Sequence, residues 1–166
     1  MADETNPTAQ PAAQKPAPQL NILAQLVRKL DFSNPGALKK FETTPTISVN
    51  INVDAAKAGD SDYQVALRIE ANAKADEAPV YGLTLEYAGI FRVSNVEANV
   101  LEPVLLVECP RLLFPFARRI IADVTRDGGY QPMMLDPVDF VALYRNELQR
   151  RTNAQQDGQN GAPAAS

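Results

Sequence analysis

Apolar and polar residues alternate along two stretches near the middle of the chain. In TISVNINVD, Ile47, Val49, Ile51 and Val53 fall on one side, and Ser48, Asn50, Asn52 and Asp54 on the other. In YQVALRIEANAKA, Tyr63, Val65, Leu67, Ile69, Ala71 and Ala73 oppose Gln64, Ala66, Arg68, Glu70, Asn72 and Lys74. Successive side chains on a strand point to opposite faces, so both stretches are predicted to be strands with one buried face. The turn-rich linker AAKAGDSD joins them, and its Gly59 can take positive φ, which predicts an antiparallel hairpin. In a third strand Tyr81, Leu83, Leu85 and Tyr87 alternate with Gly82, Thr84, Glu86 and Ala88; Gly89 marks a bend or bulge before IFRV. Strands with one apolar face imply an antiparallel sheet covered on one side.

Helices are predicted where the period lengthens. Pro110 suits the first helical turn of CPRLLFPFARRIIADVTRDGG, and Pro115 predicts a kink or restart. Beyond Phe116, the residues Ala117, Ile120, Ile121 and Val124 recur at helical spacing up to Gly128 and Gly129. The apolar run VLEPVLLVE precedes this helix. Together they leave more apolar surface than one sheet face consumes, which points to a second subunit. A last helix is predicted in LDPVDFVALYRNELQRR, with Asp136 as N-cap, Pro137 at the first position and Asp139 in the first turn. The segment LNILAQLVRKLDFSNPG supports two readings. Leu20, Leu23, Val27 and Leu30 fit a helical face, which the periodicity favours, while Ile22, Ala24, Leu26, Leu30 and Phe32 alternate as in a strand. Either reading ends at Asn34-Pro35-Gly36.

The ends differ in composition. Residues 1–19 and 152–166 are rich in Ala, Pro, Gln, Asn and Gly and are expected to be disordered tails around a domain at 20–151. A net charge of -4 without a long basic run argues against nucleic acid as a partner. The start of the chain lacks the basic then apolar order of a signal peptide, and no apolar run approaches the roughly 20 residues of a membrane span. With a single cysteine, these features lead to the expectation of a cytoplasmic protein with no membrane insertion.

Candidate chemistry is sparse. There is no histidine, the commonest proton-transfer group. Cys109 has no histidine base to activate it and is read as a buried structural residue. The acidic pairs Asp60/Asp62 and Asp136/Asp139 are explained as turn and cap residues. No catalytic residue, metal or cofactor is expected. Phe41, Tyr130, Met133, Met134, Phe140 and Tyr144 suit either core filling or an adaptable apolar binding surface.

From Cys109 to Tyr144, the run CPRLLFPFARRIIADVTRDGGYQPMMLDPVDFVALY resembles the signature half of the SecB family of protein-export chaperones. The likeness extends upstream through YAGIFRV and, more weakly, to LDFSNPGA, covering about Leu20 to Arg151. It implies an α+β fold, a four-stranded antiparallel sheet with helices packed on one side, in which the first segment is a strand. It also implies a homotetramer, a dimer of dimers, that binds unfolded precursor proteins without ATP and delivers them to the translocation ATPase SecA. Carried onto this sequence, client binding falls to Phe41, Tyr81, Tyr130, Met133, Met134, Phe140 and Tyr144. Leu83, Leu85, Tyr87, Phe116 and Ile120 become subunit-interface candidates, with sheet core as the alternative for the first three. Acidic docking positions of the family appear here as Lys29 and Ser33, a leucine and a glutamate as Gly82 and Thr84, and a crossover tryptophan is missing. Asp31 and Glu86 are the acidic residues left to dock SecA. A chaperone dedicated to one client, without SecA docking, and a small-ligand regulatory module are the other readings.

Overall fold

The protein is described here by a computed structural model covering residues 14–160, so the parts of the expected tails at 1–13 and 161–166 lie outside the described residues. Four strands, β1 (Gln19–Ser33), β2 (Thr46–Lys57), β3 (Asp62–Ala75) and β4 (Ala78–Ser94), form one antiparallel sheet in the order β1-β4-β3-β2. The chain leaves β1 at one edge, crosses an end of the sheet to β2 at the other, and returns through two hairpins.

The first segment is therefore a strand, and its register explains the helical look of its sequence. Register shifts between Ile22 and Ala24 and between Val27 and Lys29 leave Leu23 and Arg28 as extra residues. Paired residues share a face. The positions opposite the inward residues of β4 are Leu20, Ile22, Gln25, Val27, Leu30 and Phe32, so the spacing alternates between two and three. Gly89 lies in regular pairing on β4 and hosts no bulge of its own. It is needed for space, because a Cβ there would sit 2.7 Å from the Phe91 ring and 3.0 Å from Leu113.

The β2–β3 hairpin forms as expected, but Gly59 does not adopt positive φ; the amides of Ala58 and Gly59 donate to the Asp62 carbonyl at 2.8 and 3.0 Å. The tight β3–β4 turn instead places Asp76 and Glu77 at φ of 51° and 61°, a conformation that usually selects glycine or asparagine.

Helical structure starts earlier than the prolines suggested. It runs from α1 (Ala98–Pro103) through a π-helical turn (Val104–Glu108) into α2 (Cys109–Asp127). Pro110 thus lies inside a longer helical run, and the helix passes through Pro115 without restarting. A π turn accommodates residues that cannot keep the ordinary ladder, here directly after Pro103. The last helix, α3 (Phe140–Asn160), begins later than expected: Asp139, not Asp136, caps it, its Oδ1 accepting the Ala142 amide at 3.0 Å. It also continues through 152–160, predicted as tail, with Thr152 Oγ1 donating to the Leu148 carbonyl at 3.0 Å.

The core lies between β3, β4 and α2, where Leu67, Ile69, Leu85, Phe91, Leu113 and Ile121 are fully buried. Burying each such side chain stabilises by roughly 1.5–3 kcal/mol. This cover stops short of β1, whose inward Ile22, Val27 and Leu30 stay over two-fifths exposed.

Candidate functional site

The end of the sheet crossed by the β1–β2 connection gathers aromatic residues. Phe32, at the end of β1, lies 5.9 Å from Tyr81 of β4, and Tyr81 lies 4.8 Å from Tyr130 beyond α2, centroid to centroid. Each contact has a local cause. Gly128 leaves room for Phe32, whose ring would meet an added Cβ at 2.6 Å. Asn34 donates to the Gly128 carbonyl at 3.0 Å and accepts the Tyr130 hydroxyl proton, tying the crossover to the end of α2. Gly36 donates its amide to the Val80 carbonyl at 2.8 Å, and Phe41 packs beside this glycine. Burial, and then the neighbouring Tyr130, push the Tyr81 phenol above its usual 10.0; burial also raises that of Tyr130. Both stay neutral and act as apolar bodies with one polar tip.

The crossover is held from its other side as well. Asp76 accepts the Glu42 amide at 2.8 Å, the Thr43 amide at 3.2 Å and the Thr43 hydroxyl at 2.6 Å. The segment after α2 is fixed by Thr125, a buried hydroxyl that accepts the Met133 amide at 2.9 Å while donating to the Ile121 carbonyl at 2.8 Å. Met133 is consequently buried, whereas Met134 is 61% exposed. Neither Asn34 nor Thr125 was singled out in the sequence; Asn34 read only as a turn residue, and nothing local marks a buried threonine.

Tyr144 and Phe140 lie apart from that cluster. Phe140 is 1% exposed, packed at 5.9 Å against Phe114, and offers no surface in the single chain. Tyr144 lines a groove of about 530 Å³ with Ile51 and Val53 of β2, Leu106 of the π turn and Leu143 of α3, among polar side chains that include Asn52, Arg68, Glu70 and Glu147. A second groove of about 330 Å³ shares Val53, Asp54, Leu106 and Arg151 with it and continues toward Leu101 and Leu105. Arg151 bridges α3 to α1 by donating to Glu102 at 2.7 Å. Both grooves run beside β2, an edge strand whose outer backbone groups have no strand partner among the described residues. Sequence reasoning missed Ile51 and Val53 as groove residues because alternation shows a face and not whether a helix covers it.

The interface candidates divide. Leu83, Leu85 and Tyr87 are buried beneath the helical layer, in sheet core. Phe116 is 43% exposed and stacks on Tyr87 at 6.2 Å, with Leu112 similarly open and Ile120 half-buried. These α2 residues and the uncovered Ile22, Val27 and Leu30 of β1 form one open part of the helix-covered side, and Ile47 and Val49 of β2, opposite the inward Ala73 and Ala71, form another. On the opposite face, Lys29 pairs with Glu86, and Asp31 with Thr84. Glu86 receives Arg28 at 3.2 Å, while Asp31 is exposed.

Cys109 is fully buried, and burial, reinforced by Glu108, pushes its thiol up to about 12, so the thiolate is strongly disfavoured. The site's chemistry is that of open surface, apolar at Ile51, Val53 and Tyr144 and polar around them, beside a strand edge unpaired among the described residues.

A family model described as preprotein translocase subunit SecB matches residues 13–151. The chain belongs to the SecB family. Its SecB relatives include the protein-export protein SecB of Maricaulis maris, 48% identical with 99% of both chains covered. That of Rhodopseudomonas palustris strain TIE-1 is 50% identical over 86% of this chain and 90% of its own. Among solved structures, a SecB-like chaperone of Mycobacterium tuberculosis, determined with a peptide from the HigA1 antitoxin, superposes with a TM-score of 0.57. That pair is 17% identical over 72% of this chain and 91% of the other, and shows the shared fold. The SecB architecture accounts for β1 as a strand against its helical periodicity. Among the described residues no helix is long and apolar enough to cross a membrane.

Proposed function

We propose that this protein performs the export-chaperone function of its family in the cytoplasm, holding unfolded precursors on two surfaces. One is the aromatic end around Phe41, Tyr81 and Tyr130, with Met134 beside it in sequence. The other is the groove along β2, where an extended client segment adds to the strand edge and places alternate side chains against Ile51, Val53 and Tyr144. The observation that carries this reading is the second: an edge strand, its outer backbone without a strand partner among the described residues, running along a groove in which Ile51, Val53, Leu106, Leu143 and Tyr144 stand among polar side chains. Main-chain pairing accepts many sequences, and aromatic and methionine side chains demand no single geometry. Met133 and Phe140 support these surfaces from the core. Holding needs no covalent step and no ATP, only preferential binding of the unfolded state.

The active particle is a tetramer, a dimer of dimers, in which Phe116, Ile120 and the uncovered inner face of β1 supply subunit contacts. Several weak patches on one particle raise the effective concentration and turn modest contacts into retention. Delivery to SecA uses the open sheet face, with Asp31 as an exposed carboxylate on it. A second reading, a chaperone dedicated to one client without SecA docking, is favoured by one observation: Arg28 already pairs with Glu86. Titrating the purified protein with the basic tail of SecA separates the two. Salt-sensitive binding at micromolar concentration supports delivery; absence of binding leaves the dedicated chaperone.

A further inference from the structure

Asn34, the residue after β1, has both ends of its side-chain amide engaged. Its NH2 group donates to the Gly128 carbonyl at 3.0 Å, and its oxygen accepts the Tyr130 hydroxyl proton. The partners dictate this orientation. A carbonyl only accepts, so the NH2 must face Gly128, which leaves the amide oxygen for Tyr130 and makes the phenol the donor. The other oxygen near that hydroxyl, the Val80 carbonyl at 3.4 Å, also only accepts. One amide thus joins the end of β1, the end of α2 and the segment that follows it. The backbone of Tyr130 is set by α2, since Gly129 turns at φ of 91° and the Tyr130 amide donates to the Thr125 carbonyl at 3.1 Å. The far end of its ring, which lies 4.8 Å from that of Tyr81, is tied to Asn34.

We propose that Asn34 is a positioning residue for client holding: by tying the Tyr130 hydroxyl and the end of α2 to the end of β1, it stands the Tyr130 ring against Tyr81 as one rigid apolar wall. This rests on the chaperone reading above, and Asn34 acts through Tyr130 rather than by touching the client. A ring held in place before binding loses less rotamer freedom when a client arrives. The hydroxyl serves the protein, and the ring alone is offered outward.

The test measures release of a urea-denatured precursor by variants that circular dichroism shows to be folded. Tyr130→Phe keeps the ring and removes only the hydroxyl. Were ring contact all that mattered, it would hold as well as wild type; the expected release is about threefold faster. Asn34→Ala is expected to release about fivefold faster, and the double variant to fall short of the roughly fifteenfold product, because both act on one bond. The chain has no tryptophan, so ultraviolet titration reads its phenols directly. In Asn34→Ala one phenol is expected to ionise at lower pH than in wild type, having lost its acceptor, and that phenol is missing in Tyr130→Phe. Wild-type release by Tyr130→Phe, effects that multiply in the double variant, or an unmoved phenol in Asn34→Ala would overturn the inference while leaving the chaperone reading intact. Failure of wild type to retain the precursor at all removes that reading and this inference together.

Discussion

Thr125 shows how one side chain fixes a functional segment. Its hydroxyl makes a back-bond within α2 and accepts the only described bond from the Met133 amide. Thr125→Val keeps the shape and removes the acceptor, leaving a buried N–H unpaired. We expect a loss of about 1–3 kcal/mol, read by urea unfolding at fixed protomer concentration, with Thr125→Ser recovering most of it. Such a residue is invisible in sequence, since a buried threonine and an exposed one read alike. Cys109 was legible, because the lack of histidine left its thiol without a base, and burial, reinforced by Glu108, then disfavours the thiolate. Phe140 read either as core filling or as binding surface, and only its packing on Phe114, distant in sequence, puts it in the core of the single chain.

Elements were legible where the pattern was uninterrupted. β2, β3 and β4 alternate cleanly, and the structure has them as strands. β1 was obscured because Leu23 and Arg28 each insert an extra residue, converting a period of two into one that mimics a helix; bulges are set by pairing to β4, which local sequence does not contain. α3 was placed correctly but started too early, because Asp136-Pro137 makes as good a start signal as Asp139. The clamp on the crossover yields a prediction at this scale. Hydrogen bonding, first from the Thr43 hydroxyl and then from the Glu42 amide, holds the Asp76 carboxyl below its usual 3.8. Folding thus favours the charged form. The clamp's contribution is complete above the unfolded value and disappears as pH falls through the lower folded value. Asp76→Asn keeps the residue's tolerance of positive φ but removes the charge. Thermal unfolding across pH should show it less stable than wild type at pH 7, with the two curves converging below the usual carboxylate range. A constant gap at all pH values would mean that the charge is not what holds the crossover.

At the scale of the molecule, what the sequence left open was where excess apolar surface would lie. The apolar arc of the helix implied a second subunit, and the structure locates uncovered residues on α2, on β1 and at Ile47 and Val49 of β2, because the helical layer covers β3 and β4 and stops. Phe116→Asp with Leu112→Asp places charge on that strip without touching Leu113 or Ile121 of the core. Light scattering should report smaller particles with the fold retained by circular dichroism; an unchanged mass would assign the strip another role. The account as a whole is decided by one measurement: a slow-folding, urea-denatured precursor is diluted into the protein without ATP and followed by size exclusion with light scattering. We expect the precursor to co-elute with the protein in a soluble, unfolded, protease-sensitive complex. If it aggregates or folds at the rate seen in buffer alone, the surfaces described here do not hold clients.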